Sequence, residues 1–287
     1  MNPLRRFWII VRKAGIATYE VGLIDIAKGA AFSALLSFFP VLTTLATILV
    51  QANGERVSQS IAKFLFEVVP PGTEDVVQYA FTLRGDRPIY LIAGAALLSI
   101  WSASDVIVSL MGGFQAAYGC PNTRSFWHQR RVAVLLVFST LLPAIGASLL
   151  LAFGQNIEST VLSWTGLLAP DDALKGIAAF LSRVVTSVLA IFTLVIVTSW
   201  LYRFAPGHKN RWHRVWPGAF LATSLWSLAT LGFGWYVRNI ATYNIMYGSI
   251  GAAIALLIWM YLLSLIALFG CAYNAETEKL RTAGVIQ

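Results

Sequence analysis

Long apolar runs, separated by shorter polar segments, dominate the hydrophobicity pattern of this chain. The longest uncharged run extends from Asn239 to Ala275, and Arg238 and Glu276 bound it. About 20 apolar residues are enough for a helix to cross the hydrocarbon core of a bilayer. The pattern therefore predicts an all-α polytopic membrane protein with six transmembrane helices. We place these spans at about 29–51, 88–111, 132–154, 176–201, 215–237 and 248–271.

Two segments outside the spans have helical patterns of their own. In residues 4–28, Leu4, Trp8 and Val11 fall at helical spacing. This pattern fits a helix in the headgroup layer, and it fits an ordinary leader helix beside the membrane equally well. Residues 53–87 form an external loop in which an amphipathic stripe and a Pro-Pro-Gly stop predict two short helices. Since no linker divides the chain, we treat residues 1–287 as a single membrane domain.

Composition and charge support this class and add an orientation. The chain is 57% hydrophobic and 12% charged, and soluble domains carry roughly twice that charge. Fourteen Lys and Arg residues flank one side of the predicted spans, and six flank the other. The richer side faces the cytoplasm in most membrane proteins. Both termini are therefore predicted to be cytoplasmic and residues 53–87 external, and the net charge of +8 indicates orientation and not nucleic-acid binding.

The sequence contains no pattern typical of an enzyme. It lacks HExxH, a Walker loop, GxSxG and CxxC, and its three histidines lie in basic loops. Cys120 and Cys271 are too far apart in sequence to suggest a metal site, and we expect them to be free thiols. We therefore expect no catalytic residues, no metal site and no cofactor.

Two ionisable residues, Asp105 and Arg183, fall inside predicted spans. Such residues are costly in a bilayer, so each is a functional candidate. Asp105 lies close enough to the inner boundary to pair with a basic residue such as Arg131 or Arg203. Arg183 lies at the depth of the outer leaflet, where its side chain could extend to the headgroups or hold a phosphate or carboxylate in a cleft.

Two further features could belong to a substrate path. Pro40 interrupts the first span, either as a packing kink or as a break that lines a cavity. Residues 239–247 are polar but uncharged, which fits a re-entrant plug or a tight hairpin. The candidates for a substrate path or for coupling are Arg183, Asp105, Pro40, Asn244, Tyr247 and Gly248.

Seven short motifs occur in one order along the chain. They are Ala30–Pro40, Trp101–Ser104, Phe114–Gly119, Leu201–Pro206, Trp216–Ala219, Tyr243–Gly251 and Gly270–Glu276. In this combination the chain resembles the BrkB/YihY family of bacterial inner-membrane proteins, which also carries virulence-factor and ribonuclease BN-like descriptions. The resemblance implies a six-span protein of the bacterial inner (plasma) membrane. It marks Arg203, Pro206, Pro217, Asn274 and Glu276 as motif residues without assigning them roles.

Three functions follow from these observations, in decreasing order of support. The first is transport or flipping of an anionic envelope lipid or a lipid-like molecule, which is also a reading entertained for the family. The second is a non-catalytic scaffold that binds an envelope-assembly protein. The third is a tRNA-processing ribonuclease, which is least favoured because a metal-dependent nuclease needs converging carboxylates. The expected partners are thus the bilayer, an anionic lipid and an envelope protein, and not nucleic acid.

The predicted topology can be tested with reporter fusions. Fusions at residues 70, 165 and 242 should report an external location, and fusions at 122, 209 and 287 a cytoplasmic one. A paired phosphatase and fluorescent-protein reporter gives a positive signal on either side. One reversed loop would contradict the six-span arrangement.

Overall fold

The computed structural model describes residues 3–51, 89–120, 124–141, 143, 172–207, 211–239 and 249–284. Every regular element within these ranges is a helix, which confirms the all-α prediction for this part of the chain. In chain order the helices are α1 (Pro3–Glu20), α2 (Leu23–Gln51), α3 (Ile89–Tyr118), α4 (126–141), α5 (Asp172–Phe204), α6 (Trp212–Asn239) and α7 (Ser249–Thr282).

Four helices are long and apolar enough to cross a membrane. The qualifying segments are Leu23–Leu42 in α2, Ala93–Tyr118 in α3, Ser187–Phe204 in α5 and Ala253–Thr282 in α7. Helix α6 coincides with the fifth predicted span but does not reach the same apolarity, and residues 132–141 of the third predicted span belong to α4. Six spans therefore remain a prediction. The predicted helices at 53–87 and residues 240–247 of the predicted turn lie outside the described residues.

Helix α7 is the centre of the bundle, since α1, α2, α3 and α6 all pack against it. One apolar core joins these helices, and its largest members include Met111, Phe114, Tyr202 and Leu268, each almost completely buried. The hydroxyl of Tyr202 donates to the Ala267 carbonyl at 2.6 Å, and its ring meets Phe114 edge-on at 5.4 Å. Tyr202 thereby fixes α5 to α7 and α3 at once.

Helices α6 and α7 cross very closely at two glycines. A Cβ on Gly270 would lie 2.7 Å from both the Gly218 carbonyl oxygen and the Ala222 Cβ, and 2.6 Å from the Tyr202 hydroxyl. A Cβ on Gly218 would overlap the Gly270 carbonyl oxygen. Small residues allow helix backbones to approach in this way in membrane proteins, where packing replaces the hydrophobic effect between helices.

We predict that Gly218→Ala destabilises the fold by about 1–3 kcal/mol, because the added methyl group overlaps backbone that cannot move independently. Unfolding in mixed detergent micelles, followed by fluorescence, measures the change. Gly232→Ala is the matched control, since it lies on the same helix with nothing within 4 Å of its Cβ position. Equal stability of the two variants would contradict the close crossing.

Candidate functional site

An arginine, a carboxylate, a serine and two aromatic rings meet where α3 faces the start of α4. We call Trp101, Ser104, Asp105, Phe126 and Arg130 the Arg130 cluster. Arg130 Nη2 lies 2.6 Å from the Asp105 carboxylate. Its Nη1 donates to Ser104 Oγ at 2.6 Å and more weakly to the Trp101 carbonyl at 3.4 Å. Asp105 belongs to the candidate span Ala93–Tyr118, so the pair places a charge within an apolar segment.

Aromatic rings complete the surroundings of Arg130. Its guanidinium carbon lies 4.2 Å from the centre of the Trp101 ring and 5.8 Å from that of Phe126. A guanidinium within about 6 Å of a ring face is attracted by the ring quadrupole. Both rings are themselves exposed. The arginine is therefore held between a carboxylate and a wall of aromatic rings at the bundle surface.

The two side chains of the Asp105–Arg130 ion pair differ in how far they are buried. The Arg130 side chain is 10% exposed, whereas that of Asp105 is 44% exposed. Arg130 Nε is buried and has no hydrogen-bond partner among the described residues. A molecule approaching from outside would thus meet Asp105 first and find the cation behind it, with one N–H donor still unused.

The sequence indicated the correct kind of partner for Asp105 but the wrong residues. Arg131 is exposed, and Arg203 places its guanidinium carbon 4.7 Å from the Trp212 ring and 5.5 Å from that of Phe204. Arg130 was not singled out because successive residues point about 100° apart on a helix, so the choice between two adjacent arginines depends on how α4 is turned toward α3.

The second polar constellation, at the start of α6, includes two of the motif residues. Pro217 lies inside α6 and has no N–H, so it interrupts the regular helical hydrogen bonding there. The side-chain amide of Asn274, on α7, accepts from the Gly218 N–H at 2.8 Å and donates to the Val215 carbonyl at 2.9 Å. Asn274 is 2% exposed. It therefore pairs the backbone on both sides of the proline and links the two helices.

The other motif residues lie nearby without converging on one point. Pro206 is buried just after α5, beside Gly207, whose φ of +80° favours glycine. Arg124 closes this end of α5 by donating to the carbonyls of Phe204 and Ala205 at 3.3 and 3.1 Å. Partial burial lowers the pKa of Arg124, although a guanidinium remains protonated. Glu276 pairs with Lys279 on its own helix at 2.7 Å.

Pro40, another of the path candidates, makes its described contacts away from Asp105. The Pro40 carbonyl accepts from Ser99 Oγ at 2.7 Å, and Thr44 Oγ1 lies 2.8 Å from the same hydroxyl. Ser99 precedes Asp105 by six residues, or about 9 Å along α3. Arg183 belongs to α5, but its side chain lies outside the described part, as do Asn244, Tyr247 and Gly248. Within the described residues no group of three His, Cys, Asp or Glu could hold a metal ion.

We predict that Asn274→Ala lowers stability by about 1–3 kcal/mol, because it leaves two buried backbone groups without their partner. Thr277→Ala is the control, since the Thr277 hydroxyl donates to the Tyr273 carbonyl of its own helix and, within the described residues, to no other helix. Detergent unfolding of both variants measures the difference. Equal stability of the Asn274 variant and the wild type would show that α6 does not need the amide.

Comparison with known proteins supplies the family. The family model described as "Virulence factor BrkB" matches residues 20–285. The putative ribonuclease-like protein YfkH of Bacillus subtilis is 29% identical over 250 residues, which are 87% of this chain and 88% of that protein. A UPF0761 membrane protein of Laribacter hongkongensis is also 29% identical, over 88% of this chain but 57% of its own length. No solved structure matches.

The family match covers nearly the whole chain, and it includes both the Arg130 cluster and the Asn274 contacts. The relatives with UPF0761 names are called membrane proteins, in agreement with the four apolar helices. The ribonuclease-like name belongs to YfkH, and it has no counterpart in the motifs of this sequence. The chain is therefore a membrane protein that belongs to the virulence factor BrkB family.

Proposed function

We propose that this protein moves an anionic lipid or lipid-like molecule across the bacterial inner membrane, with Arg130 as the residue that binds its headgroup. The observation that carries this proposal is the uneven Asp105–Arg130 pair within a candidate span. Ionisable groups at such positions are costly and are a default indication of function in membrane proteins. The Arg130 guanidinium, once it exchanges Asp105 for another partner, calls for a substrate with negative charge.

The Arg130 cluster supports an exchange in which the guanidinium gives up the Asp105 carboxylate and binds the anionic group of a substrate. Nε and Nη2 form one edge of a guanidinium. In Arg130 the Nη2 of this edge holds Asp105, while the buried Nε has no partner within the described part of the chain. A phosphate or carboxylate can take both donors of an arginine at once. A headgroup that displaces Asp105 from this edge would gain a bidentate contact, and it would leave the half-exposed Asp105 side chain free to turn toward water.

The surrounding rings suit a lipid-like substrate. Trp101 and Phe126 present exposed aromatic surface beside the cation, so a molecule with an anionic head and an apolar tail would find both chemistries in one place. The sequence has no Walker loop. Transport would therefore be driven by an ion gradient or a partner protein, or it would be passive exchange down the lipid's own gradient.

Exchange of labelled lipid between leaflets of proteoliposomes tests the proposal. Wild-type protein should accelerate the exchange of an anionic lipid above the rate in empty liposomes, with or without an ion gradient. Arg130→Gln should lose at least tenfold of this acceleration, because a lost charge-assisted contact is worth about 1.5–3 kcal/mol. Arg130→Lys should retain part of it, since the charge remains but the bidentate edge is lost.

In the same assay, Asp105→Asn distinguishes an effect on lipid binding from an effect on the stability of the fold. This substitution removes the competing carboxylate, so anionic lipid should bind at least as tightly as to the wild type, while the fold loses an ion pair. Wild-type exchange no faster than in empty liposomes, under every gradient, would contradict transport and favour the scaffold. RNA cleavage by protein free of contaminating nuclease would instead favour the ribonuclease.

A further inference from the structure

Helix α1 has one face against the bundle and a second face that nothing in the described chain covers. Ile10, Ala14 and Thr18 are buried. Leu4, Trp8 and Tyr19 are 70%, 68% and 77% exposed. These three residues are four and eleven positions apart, which places them on the same side of a helix with 3.6 residues per turn. The exposed face thus carries apolar and aromatic side chains near both ends of the helix.

Basic residues share this exposed side. Arg5, Arg12 and Lys13 are all exposed, and Glu20, at the end of the helix, is the one acidic residue in α1. Rings and basic side chains side by side are typical of helices that lie in the headgroup layer, where rings reach the acyl boundary and cations meet anionic lipids. The aromatic and basic side chains of this face are therefore complementary to the surface of an anionic membrane.

Helices α2 and α7 are antiparallel, and the contacts between them show which residues of the two helices lie at the same level along the bundle. Ile26 and Leu268 meet beside Gly113, whereas Leu35 packs farther along α2 against the cluster that includes Leu256. Leu23, where α2 begins, is three residues before Ile26. It therefore lies level with about residue 271 of α7.

Both ends of α1 lie at the same level along the bundle as Leu23 and residue 271. Its last residue, Glu20, is joined to Leu23 by a two-residue turn. Near its first residue, the Phe7 ring packs on the Tyr273 ring with their centroids 6.1 Å apart. The segment from Phe7 to Glu20 extends about 20 Å, yet its two ends differ in depth by only a few ångströms. Helix α1 therefore runs across the end of the bundle, in the direction of the membrane plane.

We propose that the exposed face of α1, formed by Leu4, Arg5, Trp8, Arg12, Lys13 and Tyr19, binds the anionic leaflet at which α2 begins. The rings enter the boundary between headgroups and acyl chains, and the three basic side chains bind lipid phosphates. The positive-inside rule makes this the cytoplasmic leaflet. The proposal does not depend on transport, since it concerns a different helix and a different contact.

Spin labels measure the depth of this face in nanodiscs that contain anionic lipid. Labels at Trp8→Cys and Leu4→Cys, in a Cys120→Ser background, should collide with oxygen more than with a water-soluble nickel complex. A label at Ala283→Cys is the aqueous control, because Ala283 is exposed just beyond the end of α7. The native Cys271 is completely buried and should remain unlabelled.

The two possible failures of this experiment are distinct. Preferential collision with the nickel complex at positions 4 and 8 would place α1 in water and overturn the proposal. Protection from both reagents, together with a dimer mass by light scattering, would mean that a second copy of the chain covers the face. That outcome would also overturn it.

Lipid selectivity tests the role of charge. Spin-labelled phosphatidylglycerol should associate with the wild-type protein more strongly than spin-labelled phosphatidylcholine. Arg5→Gln/Arg12→Gln/Lys13→Gln should lower this preference, by up to about fivefold for each charge removed at low salt. The matched control Arg5→Lys/Arg12→Lys/Lys13→Arg keeps every charge and should keep the preference. An unchanged preference in the glutamine variant would contradict the electrostatic part of the proposal.

Discussion

The close crossing of α6 and α7 is the contact on which the rest of this bundle depends. Gly218 and Gly270 leave no room for a side chain between the two helices, and a gap of about 0.5–1 Å between packed atoms already loses a quarter to a half of their dispersion attraction. The Asn274 amide secures the same crossing by pairing the backbone on either side of Pro217. Since α7 also contacts α1, α2 and α3, its position at this crossing decides where the other helices can pack.

The polar groups inside the bundle fall into two kinds. Asn274 and Tyr202 are buried and bond backbone groups of neighbouring helices, so they act as internal connections that leave little for a ligand. Arg130 differs because its carboxylate partner is half-exposed and one of its own donors has no partner among the residues that the structure describes. A polar group that is satisfied by backbone stabilises one structure, whereas an ion pair at a surface can exchange partners. This difference is why Arg130, and not the motif asparagine, is the centre of the proposed function.

The arrangement of α1 connects the membrane surface to the bundle. Its buried side packs on the end of α7 and its last turn leads directly into α2. Lipid bound at the exposed side would therefore hold the helix from which the first span starts. Because Gly22 has a φ of +71° in the turn between them, the angle between α1 and α2 relies on a conformation that other residues seldom adopt.

The sequence by itself determined the all-α class, the apolar helices and the family, because each depends on composition, local periodicity or the order of motifs. It also marked Asp105 as an ionisable residue inside a span, and the family resemblance marked Asn274 as a motif residue without a role. Only the tertiary structure decided that Arg130, and not Arg131 or Arg203, pairs with Asp105, since adjacent residues on a helix face different neighbours. It likewise decided that Asn274 completes the backbone beside Pro217, 57 positions away in the chain. Such partnerships arise from how helices rotate and cross, and neither the rotation nor the crossing leaves a periodic signal in one sequence.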